Sequence, residues 1–385
     1  MRFLFVIDSF GPGGAQRQML SLTRGLIPRG HEIEFFIYYP DHIELQGDLA
    51  DLQVPIHSYR KRHRFSIKVA YELRRVALRG NYDVVLAFLR TPSFYAELAK
   101  LTGLKTPVLI SERYCYPGGR LTFLDRCREE LHRLADWIVV NSHHQREWME
   151  KRSPWIRQKI STIYNGVDLD RFRFSRLKPP SFSDDLRFLA VGRVEWRKNP
   201  LGLVRALKIY RERYGKPPLI RWVGSRSGPS SETTCREVNR ELAEAGLVDH
   251  WEWLGVRQDV PELLRDHDAL IHPSLYEGLP NVVCEALAAG RPALVGDVCD
   301  HSRLVKEGVT GNLFDPTSPE STARAINRYA DTSWKERNRM GCRARQFAEE
   351  SLSLENCATR YESLLLKSAR LPMNRTASQT GVTLN

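Results

Sequence analysis

Short apolar runs alternate along the chain with longer stretches in which apolar residues recur every three or four positions. The runs have the length of buried strands and the stretches have the period of amphipathic helices, which together predict a parallel α/β architecture. In the first half, strands are expected at residues 3–7, 32–37, 84–88, 108–110 and 137–140. The rhythm breaks between residues 173 and 185, where Lys178-Pro179-Pro180-Ser181 and Ser183-Asp184-Asp185 read as a linker. It restarts with strands at 187–191, 219–223, 251–254 and 269–271, and with helices at 200–214, 235–245 and near 261–265. Two sheets in series are therefore expected, with ligands bound in a cleft beyond the carboxyl ends of the strands. Residues 372–385 are polar, lack a period and are expected to be disordered.

Composition changes this picture in two places. A length of 385 residues suffices for two domains with separate cores. The net charge of +12 and pI near 9.4 call for an anionic partner: a phosphorylated ligand, an acidic glycan, a membrane surface or nucleic acid. No nucleic-acid motif accompanies the charge, so that partner is not expected. The seven cysteines are scattered, odd in number and never in CxxC spacing, which argues against a disulfide framework or structural zinc and for a reducing cytoplasm. The N-terminal apolar run is cut by Asp8 and is too short for a signal peptide, and no stretch reaches transmembrane length. The expected location is cytoplasmic, with any membrane contact peripheral, on the inner face of the cytoplasmic membrane. No His, Cys or Asp cluster has metal-ligand spacing, so neither a catalytic metal nor another cofactor is expected. No nucleophile–base pair of a hydrolase is legible either.

The segment richest in chemistry runs from His272 to Gly290. A strand ends at residue 271, a loop with Gly278 and Pro280 follows, and a helix then stops at Gly290. Proline suits a first helical turn, whose amide would be unpaired in any case. Free amides around Leu279 to Val282 make a phosphate site of the helix start. Glu285 lies about one turn inside, where it can accept both hydroxyls of a ribose, and Glu277 sits on the loop before it. Two glutamates with seven residues between them in this strand–loop–helix setting resemble the donor site of retaining glycosyltransferases of family 4 (GT4). The resemblance implies the α/β GT-B fold, two Rossmann-like doubly wound domains facing across a cleft. It also implies that Glu285 holds the ribose diol, that Glu277 faces the donor sugar, and that the amides of Gly278, Leu279, Asn281 and Val282 bind sugar and pyrophosphate.

Other segments extend the resemblance from Met1 to about Leu366. Val191-Gly192-Arg193-Val194-Glu195-Trp196-Arg197-Lys198-Asn199-Pro200 resembles the pair in which an Arg and a Lys clamp the pyrophosphate, here Arg193 and Lys198. Phe10-Gly11-Pro12-Gly13-Gly14 follows the first strand and implies that Gly13 and Gly14 face the donor; a plain tight turn is the alternative. Asn165, in Ile163-Tyr164-Asn165-Gly166-Val167-Asp168, resembles the signature closing the first domain, with an ordinary Asn-Gly turn equally open. Arg257 lies in a segment that resembles the lining of the base pocket. Many members carry a histidine after the strand that here ends at residue 110, whereas this chain has Ser111-Glu112-Arg113, with Arg113 in that place. Glu277 and Arg113 are thus the expected catalytic residues, Arg113 either orienting the acceptor with Glu112 as partner or forming a structural ion pair with it. The expected domains are residues 1–178 for the acceptor and 186–352 for the donor, with a final helix at about 353–366 returning to the first.

One basic segment stands apart from these motifs. Read as a helix from about residue 64, Phe65, Val69, Leu73 and Val76 form one stripe and Arg64, Lys68, Arg75 and Arg79 the adjacent one. The stripe either packs on the first sheet beside solvated cations or forms a face for anionic lipid. The resulting expectation is transfer of a hexose or N-acetylhexosamine, with retention, from a nucleoside-diphosphate sugar (UDP foremost) to a glycan or lipid-linked acceptor in cell-envelope glycan synthesis. A sugar-nucleotide epimerase of the same fold, or an inactive sugar-nucleotide-binding partner protein, are the alternatives.

Overall fold

The computed structural model describes residues 1–11, 13–42, 44–63, 65–113, 122–179 and 185–370. The chain divides into two compact units. The first comprises Met1–Asn141, Arg146–Ile163 and the chain from Ala358; the second comprises Ser142–Gln145 and Tyr164–Cys357.

The first unit holds a parallel sheet of β1 (Arg2–Val6), β2 (Glu32–Ile37), β3 (Ile56–Ser58), β4 (Val84–Phe88), β5 (Val108–Glu112), β6 (Trp137–Val140) and β7 (Ile160–Thr162), in the order β3-β2-β1-β4-β5-β6-β7. Helices cover both faces, so β4 and β5 are buried at every position, which is why β4 reads as an unbroken apolar run, while Ser111 and Glu112 end the apolar part of β5 early. The final helix Leu354–Ala369 belongs to this unit from Ala358 on. There Glu362 accepts from Arg29 at 2.6 Å and lies 2.7 Å from His31, and Tyr361 is buried.

The second unit holds β8 (Arg187–Val191), β9 (Leu219–Val223), β10 (Trp251–Gly255), β11 (Ala269–His272), β12 (Ala293–Gly296) and β13 (Gly311–Phe314), all parallel, in the order β10-β9-β8-β11-β12-β13. This is the order of dinucleotide-binding domains, and the direction of winding reverses between β8 and β11, so the loops leaving those strands flank the crevice where such sheets bind ligands. The break between units falls after Ile163, ahead of the expected linker at 173–185. Val167, Phe172 and Leu177 are buried in the second unit, and Arg291, wholly buried, donates to the Ser175 carbonyl at 2.6 Å and to those of Leu264 and Arg265 at 2.8 and 2.9 Å. Residues 372–385, the expected disordered tail, lie outside the described residues.

Two local devices set the mouth of the crevice. Asn199 sits in the left-handed region at φ 56° and caps the helix Pro200–Tyr214 by accepting from the Gly202 amide at 3.2 Å, with Pro200 pre-set for the first turn. Beside it, Gly224 follows β9 so closely that a Cβ there would lie 2.0 Å from the Gly192 carbonyl oxygen, at a φ of +153°. Trp222 Nε1 donates to that same oxygen at 2.8 Å, so the carbonyl has no room to retreat. Gly224→Ala should therefore destabilise the protein by about 2 kcal/mol or more. Urea unfolding measures this, and a midpoint unchanged from wild type would show that the approach is loose.

Candidate functional site

The loop leaving β8 carries Trp196–Lys198 as a single 3-10 turn, and the loop leaving β11 carries Ser274 to Pro280. They are stitched together through the backbone, Leu275 N–H donating to the Arg197 carbonyl at 2.8 Å, and through side chains, Lys198 Nζ bonding Glu277 Oε1. Glu277 is buried, yet Ser274 Oγ also donates to Oε1 at 2.9 Å and His272 Nε2 lies 3.3 Å from the same atom. Burial pushes the Glu277 carboxyl up, but the contact with His272 and the charge of Lys198 outweigh it and hold the group well below the ordinary carboxylate range. Glu277 is thus a fixed anion. It can accept hydrogen bonds and stabilise positive charge, and it cannot supply a proton near neutral pH.

The helix Asn281–Ala288 begins directly beyond this anion. Pro280 precedes it without a side-chain cap, and the amides of Gly278, Leu279, Asn281 and Val282 donate to no acceptor among the described residues. A helix start left this way carries a partial positive charge and attracts phosphate. Glu285 is half-buried one turn along the same helix. Asn165, buried, donates from Nδ2 to Asn281 Oδ1 at 2.6 Å and so braces the first residue of that helix. Arg193 lies exposed after β8 and makes no ion pair among the described residues, which leaves its guanidinium available to an anion. The second unit therefore gathers Lys198, Arg193, Asn165, Glu277, Glu285 and the free amides around one crevice mouth.

The remaining expected residues lie on other loops. Arg257 is exposed on the loop after β10 and pairs with Asp259 through two nitrogens, Nη2 to Oδ2 at 2.5 Å and Nε to Oδ1 at 2.8 Å, so its guanidinium is engaged in a local ion pair. In the first unit, Gly13 is the uncapped start of the helix Gly14–Leu26, after a turn in which Asp8 Oδ1 accepts from Ser9 N–H at 2.8 Å and Gln16 Nε2 at 3.1 Å. Arg113 follows β5, its guanidinium 4.0 Å above the Phe88 ring and donating to Ser111 Oγ at 3.2 Å and Tyr361 OH at 3.1 Å. Glu112 is not its partner: the strand alternation turns that carboxyl inward beside the Glu97–His132 pair, where burial pushes it up and Oε1 has no hydrogen bond among the described residues.

In the basic segment, the helix runs Ile67–Gly80, and Arg64 lies outside the described residues. Val69 and Leu73 are buried and Val76 packs against the core, so that stripe faces the sheet, while Phe65 is exposed. Lys68, Arg75 and Arg79 are exposed. Among the described residues no helix is long and apolar enough to cross a membrane.

Sequence reasoning missed His272, Ser274 and Asp300. The first two lie inside the informative segment but read as strand end and turn. Asp300 is wholly buried, accepting from the amides of His143 and His144 at 2.6 and 2.7 Å and from Tyr164 OH at 3.0 Å. A lone aspartate after an unrecognised strand gives no signal of such a role.

The model for glycosyl transferases group 1 matches residues 172–347, and that for glycosyltransferase family 4 matches residues 12–171. The UDP-Gal:alpha-D-GlcNAc-diphosphoundecaprenol alpha-1,3-galactosyltransferase of Escherichia coli is 30% identical over 184 residues, 45% of this chain and 46% of that protein, so the match spans about half of the relative. Anabaena HepE in complex with UDP superposes with a TM-score of 0.82 at 18% identity, covering 95% of this chain and 100% of that one. A glycosyltransferase from Rickettsia africae gives 0.84 at 17% identity, covering 96% and 99%. At these identities the likeness shows the fold, which is GT-B.

The charge state of Glu277 is testable without knowing a substrate. Its depressed carboxyl contributes stability that is complete above the unfolded-state value, about 4.3, and is lost as pH falls through the folded-state value. The stability difference between wild type and Glu277→Gln should therefore be constant from pH 5 to 8 and shift against wild type by about 1 kcal/mol per pH unit below pH 4. Urea unfolding of both proteins across this range is the measurement, and a shift already under way at pH 6 would contradict a stabilised anion.

Proposed function

We propose, because the chain belongs to the glycosyltransferases of group 1 and family 4, that it moves a hexosyl or N-acetylhexosaminyl group from UDP to a hydroxyl of a lipid-linked or polysaccharide acceptor, with retention of configuration, in cell-envelope glycan synthesis. The observation that carries this reading is the buried anion Glu277 standing between Lys198 and an uncapped helix start. That arrangement suits a diphosphate bound by Lys198, Arg193 and the amides, with the sugar projecting towards Glu277. The UDP complex of HepE and the UDP-galactose named for the E. coli relative support UDP as the carrier.

In this reading the bond between the anomeric carbon and the leaving phosphate oxygen breaks as the acceptor oxygen bonds to the same face. The acceptor proton passes to the departing phosphate oxygen. Lys198, Arg193 and the helix start stabilise the negative charge that develops on UDP, so no metal ion is required, and Glu277 stabilises the positive charge on the sugar. Arg113 stays protonated and cannot serve as base; stacked on Phe88 and held by Tyr361, it is suited to orienting an acceptor hydroxyl. Glu285 accepts from the ribose hydroxyls, and Asn165 keeps the helix start in register.

An anionic membrane surface is the partner we assign to the helix Ile67–Gly80. Ile67, Tyr71 and Leu78 are 59%, 56% and 46% exposed. They fall within about 40° of one another around the helix axis, beside a ribbon of Lys68, Arg75 and Arg79. An apolar ridge flanked by cations fits the headgroup layer, and it would bring a lipid-linked acceptor to a peripheral enzyme on the cytoplasmic side.

Glu285→Ala should weaken UDP binding at least tenfold, because it removes hydrogen bonds to a bound diol. Calorimetry with UDP alone decides it, and an unchanged Kd would remove Glu285 from the site. Vesicles containing anionic lipid should bind the protein at low salt, and the triple change Lys68→Glu, Arg75→Glu, Arg79→Glu should abolish sedimentation with them. Equal sedimentation with neutral and anionic vesicles would show that the basic ribbon is merely solvated.

A further inference from the structure

We infer that Ser274 and His272 are positioning residues that fix Glu277 by one carboxylate oxygen and so present the other to the donor sugar. This inference rests on the proposed role of Glu277. Every described contact of that carboxylate converges on Oε1: Ser274 Oγ at 2.9 Å, His272 Nε2 at 3.3 Å, and Lys198 Nζ. Ser274 and His272 are 0% and 2% exposed, so neither is a surface group that meets Glu277 by chance.

The proton inventory orders the contacts. A hydroxyl carries one proton, and Ser274 gives it to Glu277, so it can only accept from His272 Nε2, 3.1 Å away. His272 must then hold its proton on Nε2. Burial, with Lys198 nearby, pushes its imidazole below the ordinary value and keeps it neutral despite the contact with Glu277. The His301 ring packs edge-on against it at 5.5 Å, and His301 Nδ1 donates to the Gly296 carbonyl at 2.5 Å, which fixes the neighbour that fixes His272. The chain of donation runs from His272 through Ser274 to Glu277, with the Glu277 amide anchored on Cys299 Sγ at 3.4 Å.

Neutral donors suit this task better than a cation. Lys198 is shared with the diphosphate once a donor binds, so its grip on Oε1 is then divided. Ser274 and His272 meet no competing anion and leave the charge of Glu277 uncancelled, so the free oxygen keeps both its place and its charge beside the reacting carbon. An error of 1 Å in such a group costs on the order of a hundredfold in rate.

The test uses UDP release from whichever of UDP-glucose, UDP-galactose and UDP-N-acetylglucosamine the wild-type protein hydrolyses fastest, alongside UDP Kd and melting temperature. Ser274→Ala and His272→Gln should each lower kcat ten- to a hundredfold while UDP Kd stays within twofold. In a Glu277→Gln background, Ser274→Ala should cause no further loss, because the group it positions is already gone. If Ser274→Ala keeps kcat within twofold while Glu277→Gln loses it, or if the two losses multiply in the double variant, the positioning role is overturned and the role of Glu277 survives. If Glu277→Gln itself retains kcat, the proposed role of Glu277 fails, whatever Ser274 does. Should His272→Gln not fold, the smaller Ser274→Ala change decides alone.

Discussion

Burying a carboxylate as an anion is costly unless donors replace the water it loses. At Glu277 the replacement comes from the loop after β8, which supplies Lys198, from the end of β11, which supplies His272, and from the loop after β11, which supplies Ser274. Both loops leave the sheet where its winding reverses, between β8 and β11. Removing any partner would leave a buried charge short of hydrogen bonds, so the requirement to satisfy Glu277 constrains both loops together.

Backbone geometry supplies what the side chains need. Gly224 lets β9 approach the Gly192 carbonyl, Asn199 turns the chain from the lysine into the next helix, and the Leu275 amide ties the two loops directly. Pro280 then starts a helix with no cap, which leaves its amides to a ligand instead of to the protein. In the proposed site these devices act together: a helix start without a neighbouring cation would hold a diphosphate weakly, and the fixed anion keeps Lys198 in place beside it.

Much of this was legible in the sequence, for physical reasons that also explain the gaps. Strands such as β4 and β8 are apolar runs bounded by turns, and the interval from Glu277 to Glu285 across a Gly-Leu-Pro loop carries its own geometry. The strands β3 and β7 are only three residues long and carry the polar residues His57, Ser58, Ser161 and Thr162, so no apolar run marks them, while β12 ends and β13 begins on a glycine that reads as a turn. Ser274 and His272 were invisible as site residues because their work depends on which oxygen of Glu277 they reach, and spacing along a chain does not encode that. In the helix Ile67–Gly80 the inward stripe could be read from periodicity, but the outward ridge of Ile67, Tyr71 and Leu78 emerged only once the packed face was known. Glu112 shows the same limit: adjacent to Arg113 in sequence, it points to the opposite side of the strand.

In the proposed reaction the protein's own charges, Lys198 and Arg193 with the helix start, meet the diphosphate. Calorimetric titration of UDP into EDTA-treated protein, beside the same protein with Mg²⁺ and beside Lys198→Ala, tests it most directly. Equal affinity with and without Mg²⁺ and a loss of at least tenfold in Lys198→Ala are expected. Binding that appears only with Mg²⁺ and is indifferent to Lys198 would contradict it.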